Sequence, residues 1–511
     1  MRGARRLAWI LGAGLVVGCS RGEPEASGAG EQAGSPVPPA AGLLPEPPTI
    51  VWITIDTLRR EHLSCYGYFR ATTPNLDALA AEGLLFERAV SSVASTLPAH
   101  LTLLTGLYPH QHGMTSNRRG ASVSYVSELG RLSLAEVLRR AGYRTAGFAS
   151  ATPLAAATGI GAGFETYAAP AAGAGPSLRA HERNVAVLEW LAREGPRPGP
   201  FFLWVHYFDP HEPNDPRPPY DALFTTDERQ RAWIRTRGID VEALSARFAD
   251  SSRVRRHFLP PDPERQPPAP TRVTLERVAD LMNRYDGEVR DVDERIGELL
   301  AALRRHGRYA DAIVVVAADH GQSLGEDDWF GHGSITDVNT AVPLIVRLPA
   351  GLVAPRRIAS VVSLADVAPT VLARFAVPDS AAELATLFLG QVEGEDLLSG
   401  HFTRDSALAA RTADELRDGE SGRQFALHAG PWKYVHRPSG EDELFDQRAG
   451  DGRDVRAEHP EVAARLLAET RALLARRSAL LPDDPELAPA DPELLEALEA
   501  LGYGGEDDED E

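Results

Sequence analysis

The chain has 511 residues, of which 43% are hydrophobic and 25% are charged, and these fractions are typical of folded globular proteins rather than disordered or fibrous ones. The formal net charge of −20, part of which lies in the acidic tail of residues 506–511, argues against nucleic acid or an anionic lipid surface as a partner. The only two cysteines are Cys19 and Cys65, so no intramolecular disulfide can form if Cys19 is used elsewhere.

The first residues resemble a bacterial lipoprotein signal. Three arginines precede an apolar run from Leu7 to Val17, which is too short to span a bilayer and is followed by Cys19. Cleavage before Cys19 would leave a lipid-bearing N-terminus; the alternative is an ordinary signal peptide with a chance cysteine. We therefore expect a signal peptide over residues 1–18, a flexible tether over 19–47, and an exported protein anchored through lipid to a bacterial cell membrane, periplasmic or surface-exposed.

The elements predicted along the chain alternate between strands and helices. Ile50 to Ile55 is a continuous apolar, β-branched run typical of a buried parallel strand. The elements predicted after it are, in chain order, helices over 74–86 and 132–141, strands over 143–148 and 200–208, a helix over 289–303 and a strand over 312–318. This alternation predicts an α/β fold with a large, mostly parallel sheet sandwiched by helices.

Two regions depart from the alternation. Residues 213–275 are rich in proline and arginine and are predicted to form an insertion that can act as a lid. Farther on, short apolar runs over 425–428, 432–436 and 443–445 predict antiparallel strands of a small C-terminal α+β subdomain. A last helix is predicted over 492–501.

Three carboxylates follow predicted strands directly. Asp56, Asp209 and Asp319 each come at a strand end, and the carboxyl ends of parallel strands meet at one edge of a sheet. A single aspartate in this position is commonly a turn former or a helix cap. Because three occur together, each among other polar residues, we expect a functional site at this edge.

Several segments resemble the sulfatase family of the alkaline-phosphatase superfamily. Ser95 to Gly106 matches the nucleophile motif, Cys/Ser-x-Pro-x-Arg before Leu-x-Thr-Gly, with Thr96 at the cysteine or serine position and His100 at the arginine position. Other matching segments follow in the same order as in the family: Asp56–Arg59, Cys65–Tyr68, Thr73–Asp77, Asp319–Glu326, Gly331–Gly333 and Val342–Val346. The resemblance implies a sulfatase-like catalytic domain over residues 48–395, followed by a C-terminal subdomain over 396–470 and a helical and acidic tail over 471–511.

The resemblance implies that Asp56, Thr96, Asp319 and His320 surround one divalent cation. The imidazole favours Mn²⁺ or Zn²⁺, although Ca²⁺ or Mg²⁺ can be held by the carboxylates. A threonine hydroxyl is hardly ionised at neutral pH, and coordination to a cation is what would lower its pKa enough for attack. We therefore expect Thr96 to be the nucleophile.

The substitution at position 96 restricts the reaction. The formylglycine hydrate of sulfatases has one hydroxyl that attacks the ester and another that expels the sulfate, whereas threonine has only one. An intermediate on Thr96 must be resolved by water or an acceptor alcohol that attacks the central atom, which is routine at phosphorus. The two lysines that usually hold the sulfate are also missing, because Lys433 is the only lysine and is expected to be structural.

Five further residues are predicted to serve the site. His206, Asp209 and His332 are expected to bind substrate, and His211 is expected to protonate the leaving oxygen or hold a phosphoryl oxygen. Residues two apart in an extended loop face the same way, so Asp209 and His211 should both point at the substrate. The alternative is a second metal site that includes His332; for His206 a core position is the alternative. His100 is predicted either to orient Thr96 or to bind the transferring group.

The sequence therefore predicts a sulfatase-like, metal-dependent hydrolase acting on phosphate or phosphonate esters, of the phosphodiesterase or phosphotransferase type. Its substrate would be a small-molecule or a glycan- or lipid-linked ester. The alternatives are a sulfuric ester hydrolase that uses a threonine, and a catalytically silent binding lipoprotein with the sulfatase fold.

Overall fold

The computed structural model describes residues 40–117, 125, 131–170, 177–248, 272–411, 423–438, 440–449 and 452–476. The predicted signal peptide, Cys19, most of the tether, the helix predicted over 492–501 and the acidic tail lie outside these residues. None of the described helices combines the length and the apolar character that crossing a bilayer requires.

The centre of the fold is an eight-stranded sheet. The described strands are β1 (Thr49–Ile55), β2 (Leu84–Val90), β3 (Arg144–Phe148), β4 (Thr166–Ala168), β5 (Phe201–Tyr207), β6 (Ala312–Ala318), β7 (Ser323–Leu324), β8 (Phe330–Gly331), β9 (Ala341–Arg347), β10 (Arg356–Ser363), β11 (Ser406–Arg411), β12 (Gln424–Ala429), β13 (Trp432–His436) and β14 (Glu443–Asp446). The large sheet has the order β10-β2-β9-β6-β1-β5-β3-β4. Every neighbouring pair is parallel except the two that include β9, so the predicted mostly parallel sheet is confirmed.

Helices form two groups beside this sheet. The described helices are α1 (Pro74–Glu82), α2 (Thr96–Thr105), α3 (Pro109–His112), α4 (Leu134–Arg140), α5 (Ala180–Glu194), α6 (Glu228–Arg235), α7 (Val241–Phe248), α8 (Leu275–Arg305), α9 (Asp337–Thr340), α10 (Val367–Leu372), α11 (Asp379–Gln391) and α12 (Pro460–Ala475). In one group α1 and α5 pack against the long helix α8; in the other α2 packs against α4 and α10.

The three central strands are the most buried part of the sheet, and the register of their ends determines where the site lies. Every residue of β1, β5 and β6 is buried, as expected for strands covered on both faces. In the parallel register, Ile55 at the end of β1 pairs with Tyr207 of β5 and with Ala318 of β6. Asp56 and Asp319, which come next in the chain, therefore start from the same level of the sheet edge.

One predicted helix is too long, and another is too short. The helix predicted over 74–86 ends at Glu82, because β2 begins at Leu84. Gly83 makes this change possible: a Cβ there would lie 2.8 Å from the carbonyl oxygen of Val346 in β9. The helix predicted over 289–303 begins earlier, at Leu275, after Thr274 caps it by accepting a hydrogen bond from the amide of Arg277.

The C-terminal part contains a separate four-stranded antiparallel sheet. Its order is β11-β12-β13-β14, so the three predicted strands are present and β11, which was not predicted, is added at one edge. Within the predicted insertion over 213–275, the described residues form α6, α7 and the start of α8. Ile239 and Leu244 of this segment lie beside Gly325, in the loop between β7 and β8.

Candidate active site

One carboxylate oxygen of Asp319 is fixed by hydrogen bonds, and the other faces the candidate site. Its Oδ1 accepts hydrogen bonds from the amide of His320 at 2.7 Å and from the amide of Thr57 at 3.2 Å. Its Oδ2 is buried and has no hydrogen-bond partner among the described residues. That oxygen lies 3.5 Å from Nε2 of His320 and 3.7 Å from Nδ1 of His100, so it points into the site.

His320 and Asp56 face the same point. Nδ1 of His320 lies 3.0 Å from the carbonyl oxygen of Gly321, which can only accept, so Nδ1 carries the hydrogen and Nε2 presents an electron pair. Nε2 lies 3.9 Å from Oδ1 of Asp56. Within the described chain, neither oxygen of Asp56 has a hydrogen-bond partner, although the side chain is fully buried.

These groups fit a divalent cation. One ligand atom each from Asp56, Asp319 and His320 lie within 4.8 Å of one another. Burial raises the pKa of both carboxyl groups, most strongly that of Asp319, and burial lowers the pKa of His320 to about 4, so the ring is neutral at physiological pH. Buried polar atoms normally have partners, and a cation would satisfy all three side chains at once.

The loop after Asp56 is fixed from a distant helix. Thr57 adopts a left-handed backbone conformation with φ of 52°, and its amide donates to Asp319. The hydroxyl of Tyr285, in α8, donates to the carbonyl oxygen of Thr57 at 2.7 Å and accepts from the amide of Arg59 at 2.8 Å. Arg59 is fully buried and its guanidinium pairs with Glu61 and Glu326, so it is committed to the loop itself.

Thr96 is the first residue of α2 and is fully buried. Its Oγ1 has no hydrogen-bond partner in the described part of the chain. His100, one turn later, donates from Nδ1 to the carbonyl oxygen of Thr96 at 2.7 Å and lies 3.7 Å from Asp319. The first turn of α2 therefore lies beside Asp319, with His100 as the point of approach.

Both ring nitrogens of His100 are occupied. Nδ1 donates a hydrogen bond to the carbonyl oxygen of Thr96, and Nε2 accepts one from Oγ1 of Thr54 at 3.0 Å. Oγ1 of Thr54 in turn accepts a hydrogen bond from Nε1 of Trp204 at 3.0 Å. Burial lowers the pKa of His100 to about 3, so the ring is neutral. Of the two predicted roles this arrangement favours the orientation of Thr96, which makes His100 a positioning residue.

His206 lies at the end of β5, behind Asp56. Its Nδ1 accepts a hydrogen bond from the amide of Ser150 at 3.3 Å, so the neutral ring carries its hydrogen on Nε2. That nitrogen lies 3.5 Å from Oδ2 of Asp56. His206 is fully buried, as its core alternative required, and it also faces the predicted site.

His211 and His332 meet across the site. Their Nε2 atoms are 3.2 Å apart, and both rings are buried. The ring of His332 also lies 4.5 Å from that of His320, measured between centroids. The structure thus joins these two predicted residues to the group formed by Asp56, Asp319 and His320.

Asp209 does not face the same way as His211, which corrects the sequence-based prediction. The segment turns instead of extending, because the amide of His211 bonds to the carbonyl oxygen of Phe208. The carboxylate of Asp209 accepts from the amide of Ala180, at the start of α5, and pairs with Arg179 at 2.6 Å. The carboxylate of Asp209 is therefore committed to Arg179 and to the first amide of α5, a helix that precedes it in the chain.

Two residues at the site had no predicted role. Asn117 accepts a hydrogen bond from the amide of Leu97 at 2.8 Å, and its buried Nδ2 has no hydrogen-bond partner among the described residues. Glu212 offers a carboxylate oxygen to the same group as His211 and His332. Asn117 carries no spacing signal, whereas Glu212 stands beside a predicted histidine and could have been named.

A cavity of about 920 Å³ leads outward from His332. Trp329 lies in its wall, and Arg247 of α7 is placed over the indole ring at 4.8 Å. Lys433 also lines the cavity and pairs with Asp337 at 2.6 Å. The single lysine is thus used in an ion pair on the cavity wall, at the C-terminal sheet.

Comparisons with known proteins agree with this architecture. The sulfatase family model matches residues 48–377. An arylsulfatase of Clostridium perfringens is 25% identical over 404 residues, which cover 66% of this chain and 77% of the relative. A multifunctional alkaline phosphatase superfamily protein of Trinickia caryophylli is 25% identical over 333 residues, which cover 54% of this chain and 62% of the relative.

Solved structures show the same fold. The phosphonate monoester hydrolase of Agrobacterium radiobacter superposes with a TM-score of 0.63 at 21% identity, covering 84% of this chain and 96% of that one. A protein solved with its substrate D-glucosamine-2-N,6-O-disulfate superposes with a TM-score of 0.66 at 18% identity, covering 85% and 100%. Together with the family match, these likenesses show that the chain belongs to the sulfatase family and is an ester hydrolase with the sulfatase fold.

Proposed function

We propose that the protein hydrolyses phosphate or phosphonate esters with Thr96 as the nucleophile. The observation that carries the proposal is the single, buried hydroxyl of Thr96, which has no hydrogen-bond partner among the described residues. In the motif resemblance Thr96 corresponds to the formylglycine residue of the family. Because it has only one hydroxyl, Thr96 cannot release a bound group by elimination. Displacement at the central atom, which phosphorus supports readily, is the remaining route.

The residues present assign the parts of this reaction. A divalent cation held by Asp56, Asp319 and His320 would supply positive charge that lowers the pKa of the Thr96 hydroxyl and stabilises the ester oxygens. Oγ1 of Thr96 attacks phosphorus, the bond to the leaving alcohol breaks, and the hydroxyl proton ultimately leaves with that alcohol. Water then attacks the phosphoryl-threonine and restores the hydroxyl; an acceptor alcohol in place of water would give a phosphotransferase.

The side chains around Thr96 prepare it for this attack. His100 holds the carbonyl oxygen of Thr96, and Asn117 holds the next amide of α2. The buried Nδ2 of Asn117 is a hydrogen-bond donor beside this first turn, and a phosphoryl oxygen bound there could accept a hydrogen bond from it. None of these contacts to Thr96 uses a lysine. The only lysine of the chain, Lys433, pairs with Asp337 instead.

The direct test is a matched panel of aryl esters. Full-length protein, loaded with Mn²⁺ or Zn²⁺, is assayed against a phosphodiester, a phosphonate monoester and a sulfate monoester that share one phenolic leaving group. We expect faster turnover on a phosphorus ester, and we expect quenched reactions to yield an active-site peptide with phosphorylated Thr96. Turnover that is fastest on the sulfate ester would refute the substrate assignment, and an added alcohol that captures the phosphoryl group would identify a transferase.

Sulfate ester hydrolysis is the second candidate. It is favoured by the relatives, which include the arylsulfatase of Clostridium perfringens. Against it stands the commitment of the only lysine to Asp337, which leaves no lysine to hold a sulfate. The same panel separates the two candidates.

We also propose that the protein is exported and lipid-anchored at Cys19. The support is the sequence of the first residues, with an apolar run that ends before Cys19. Expression of the full chain in a bacterium should place it in the membrane fraction, and the Cys19→Ser variant should lose the acyl chains from its N-terminal peptide by mass spectrometry. Detection of an unmodified Cys19 in the mature protein would exclude the anchor.

A further inference from the structure

A second cavity, of about 390 Å³, lies between the large sheet and the C-terminal sheet. Its wall includes Arg88 of β2, Arg357 of β10 and His428 of β12. The pairing of β2 with β9 is interrupted between Phe86 and Ala89, and such an irregularity bends a strand and redirects its side chains. The volume is within the range of small-molecule sites, so the cavity can hold a group of several atoms.

The carboxylates on the wall of this cavity are already paired with basic side chains. The ion pairs are Glu61 with Arg59 at 2.7 Å, Glu87 with Arg357 at 2.6 Å and Asp337 with Lys433 at 2.6 Å. Because each negative charge has a positive partner close to it, much of its field in the cavity is cancelled. The charge that a ligand meets there is therefore determined by the basic residues that have no such partner.

Two arginines on the wall form no ion pair within the described part of the chain. A guanidinium nitrogen of Arg60 donates to the carbonyl oxygen of Glu87, and Arg88 donates to Oε1 of Gln447 at 2.7 Å. Both acceptors are neutral. Burial lowers the pKa of Arg88, and the positive charge of Arg60 lowers it as well, although Asp405 opposes both effects. A guanidinium has five N–H donors, so both arginines retain donors for an anion.

His428 adds a buried nitrogen without a partner to the same wall. The residue is 3% exposed, and its Nε2 has no hydrogen-bond partner among the residues that the structure describes. Burial lowers the pKa of His428 to about 3, so the ring is neutral and can carry its hydrogen on Nε2. Buried polar atoms normally have partners, so this atom, beside two arginines, indicates a ligand that accepts hydrogen bonds.

We propose that this cavity binds an oxyanion of the phosphate class through Arg60, Arg88 and His428. Guanidinium groups form charge-assisted hydrogen bonds to such oxyanions, and a neutral imidazole can donate to a remaining oxygen. The site lies outside the group formed by the candidate metal ligands. Its existence does not depend on Thr96 as the nucleophile or on phosphorus as the central atom of the reaction.

Two sources can supply this anion. One is free inorganic phosphate. The other is a second anionic group of a substrate, because Asp337 and Gln447 line both this cavity and the cavity of about 920 Å³ that leads outward from His332. A substrate bound along the larger cavity could therefore extend an anionic group into the smaller one. Only this second source rests on the proposed function.

Thermal stability in inorganic phosphate tests the site. The melting temperature of full-length protein is measured against phosphate concentration at constant ionic strength, once with metal and once with a chelator, which removes any binding through a metal ion. We expect phosphate to raise the melting temperature in both conditions. The apparent Kd for phosphate should increase about 10-fold or more in Arg88→Gln and in Arg60→Gln, because each variant loses hydrogen bonds to a charged group.

Arg356→Gln is the matched control. It makes the same change of charge at an exposed arginine at the start of β10, and its apparent Kd should equal that of the unaltered protein. Arg60 follows the loop that contains Arg59, so Arg88→Gln decides the test if Arg60→Gln folds poorly. A melting temperature that phosphate does not raise, or raises equally in Arg88→Gln and the unaltered protein, would overturn the proposal.

Steady-state kinetics identify the source of the anion. Two aryl phosphodiesters of equal length are compared, one whose alkyl chain ends in a phosphonate and one whose chain ends in a neutral amide. A rise in KM of about 10-fold in Arg88→Gln, confined to the phosphonate-ended ester, would identify a substrate group. An unchanged KM for both esters, with the weaker response to phosphate, would identify free phosphate. Failure of the unaltered protein to hydrolyse either ester would count against the proposed function alone, because phosphate binding is measured without turnover.

Discussion

The hydroxyl of Tyr285 donates a hydrogen bond to the carbonyl oxygen of Thr57 at 2.7 Å, across 228 positions of sequence. The same hydroxyl accepts from the amide of Arg59. A single side chain of α8 therefore holds both sides of the loop that follows Asp56. The position of the first carboxylate thus depends on the packing of the long helix as well as on β1.

Replacement of Tyr285 by phenylalanine should loosen this loop. The change leaves a buried amide and a buried carbonyl without their partner, which costs about 1–3 kcal/mol in the free energy of unfolding. We expect a lower midpoint in urea and weaker metal binding. Tyr143→Phe is the control, because the Tyr143 hydroxyl is buried without a hydrogen-bond partner among the described residues, so its removal should not destabilise the protein. Equal loss in both variants would contradict the bridging role of Tyr285.

Replacement of Thr96 by alanine should abolish turnover. Removal of a nucleophile typically lowers kcat by a factor on the order of 10³ or more. The proposed metal ligands Asp56, Asp319 and His320 remain, so the melting temperature with metal should stay near that of the unaltered protein. Thr96→Ser keeps a hydroxyl and should retain measurable activity. If Thr96→Ala were as active as the unaltered protein, another group would have to be the nucleophile.

His100 should act through Thr96, and its variants can show this. His100→Ala removes the donor to the Thr96 carbonyl, and we expect kcat to fall by roughly 10- to 100-fold with little change in KM, because misplacement of the attacking atom slows the chemical step. His100→Asn places an amide nitrogen near the former Nδ1 and should recover part of kcat. A rise in KM without a fall in kcat would instead indicate contact with the substrate.

Metal stabilisation should grow with pH. Burial raises the pKa of Asp56 and Asp319, so the metal-free fold retains protons there and loses stability as the pH rises above the ordinary value of 3.8 and these groups ionise. A cation removes that cost, and it binds more tightly once the protons have left. At a metal concentration about 100 times Kd the gain is about 2.7 kcal/mol.

Thermal scans with metal and with chelator measure this effect. The difference in melting temperature should be larger at about pH 7.5 than at about pH 5.5. His320 does not reverse the trend, since its pKa of about 4 leaves it neutral over this range. Asp319→Asn should shrink the difference and flatten its pH dependence; a difference that increased towards acid pH would mean that other groups bind the metal.

The sequence predicts the sheet edge well because the information there is local. Continuous apolar runs identify β1 and β6, and the polar residues that follow them, Asp56 and Asp319, need only the parallel arrangement to meet. By contrast β11, Ser-Ala-Leu-Ala-Ala-Arg, has a composition that favours a helix, and it is a strand because it pairs with β12.

Side-chain direction is less predictable, since it depends on distant partners. Asp209 was expected to face the substrate by the alternation rule, which applies only to extended chain, and Arg179 and the start of α5 take its carboxylate instead. Tyr285 carries no motif at all. Its role follows from the path of α8 across the loop after β1, which no local pattern contains.

The antiparallel strand β9 has a consequence for how this site can vary. Since β6 and β9 are neighbours, with Ala317 paired to Leu344, the chain from Asp319 to Thr340 leaves the sheet and re-enters it at the same edge. Asp319, His320 and His332 therefore lie on one connection, and the two strands that this connection joins are paired neighbours in the sheet. Such a loop can gain or lose residues without changing the strand order, so its length can be altered to reshape the entrance while the sheet beneath is preserved.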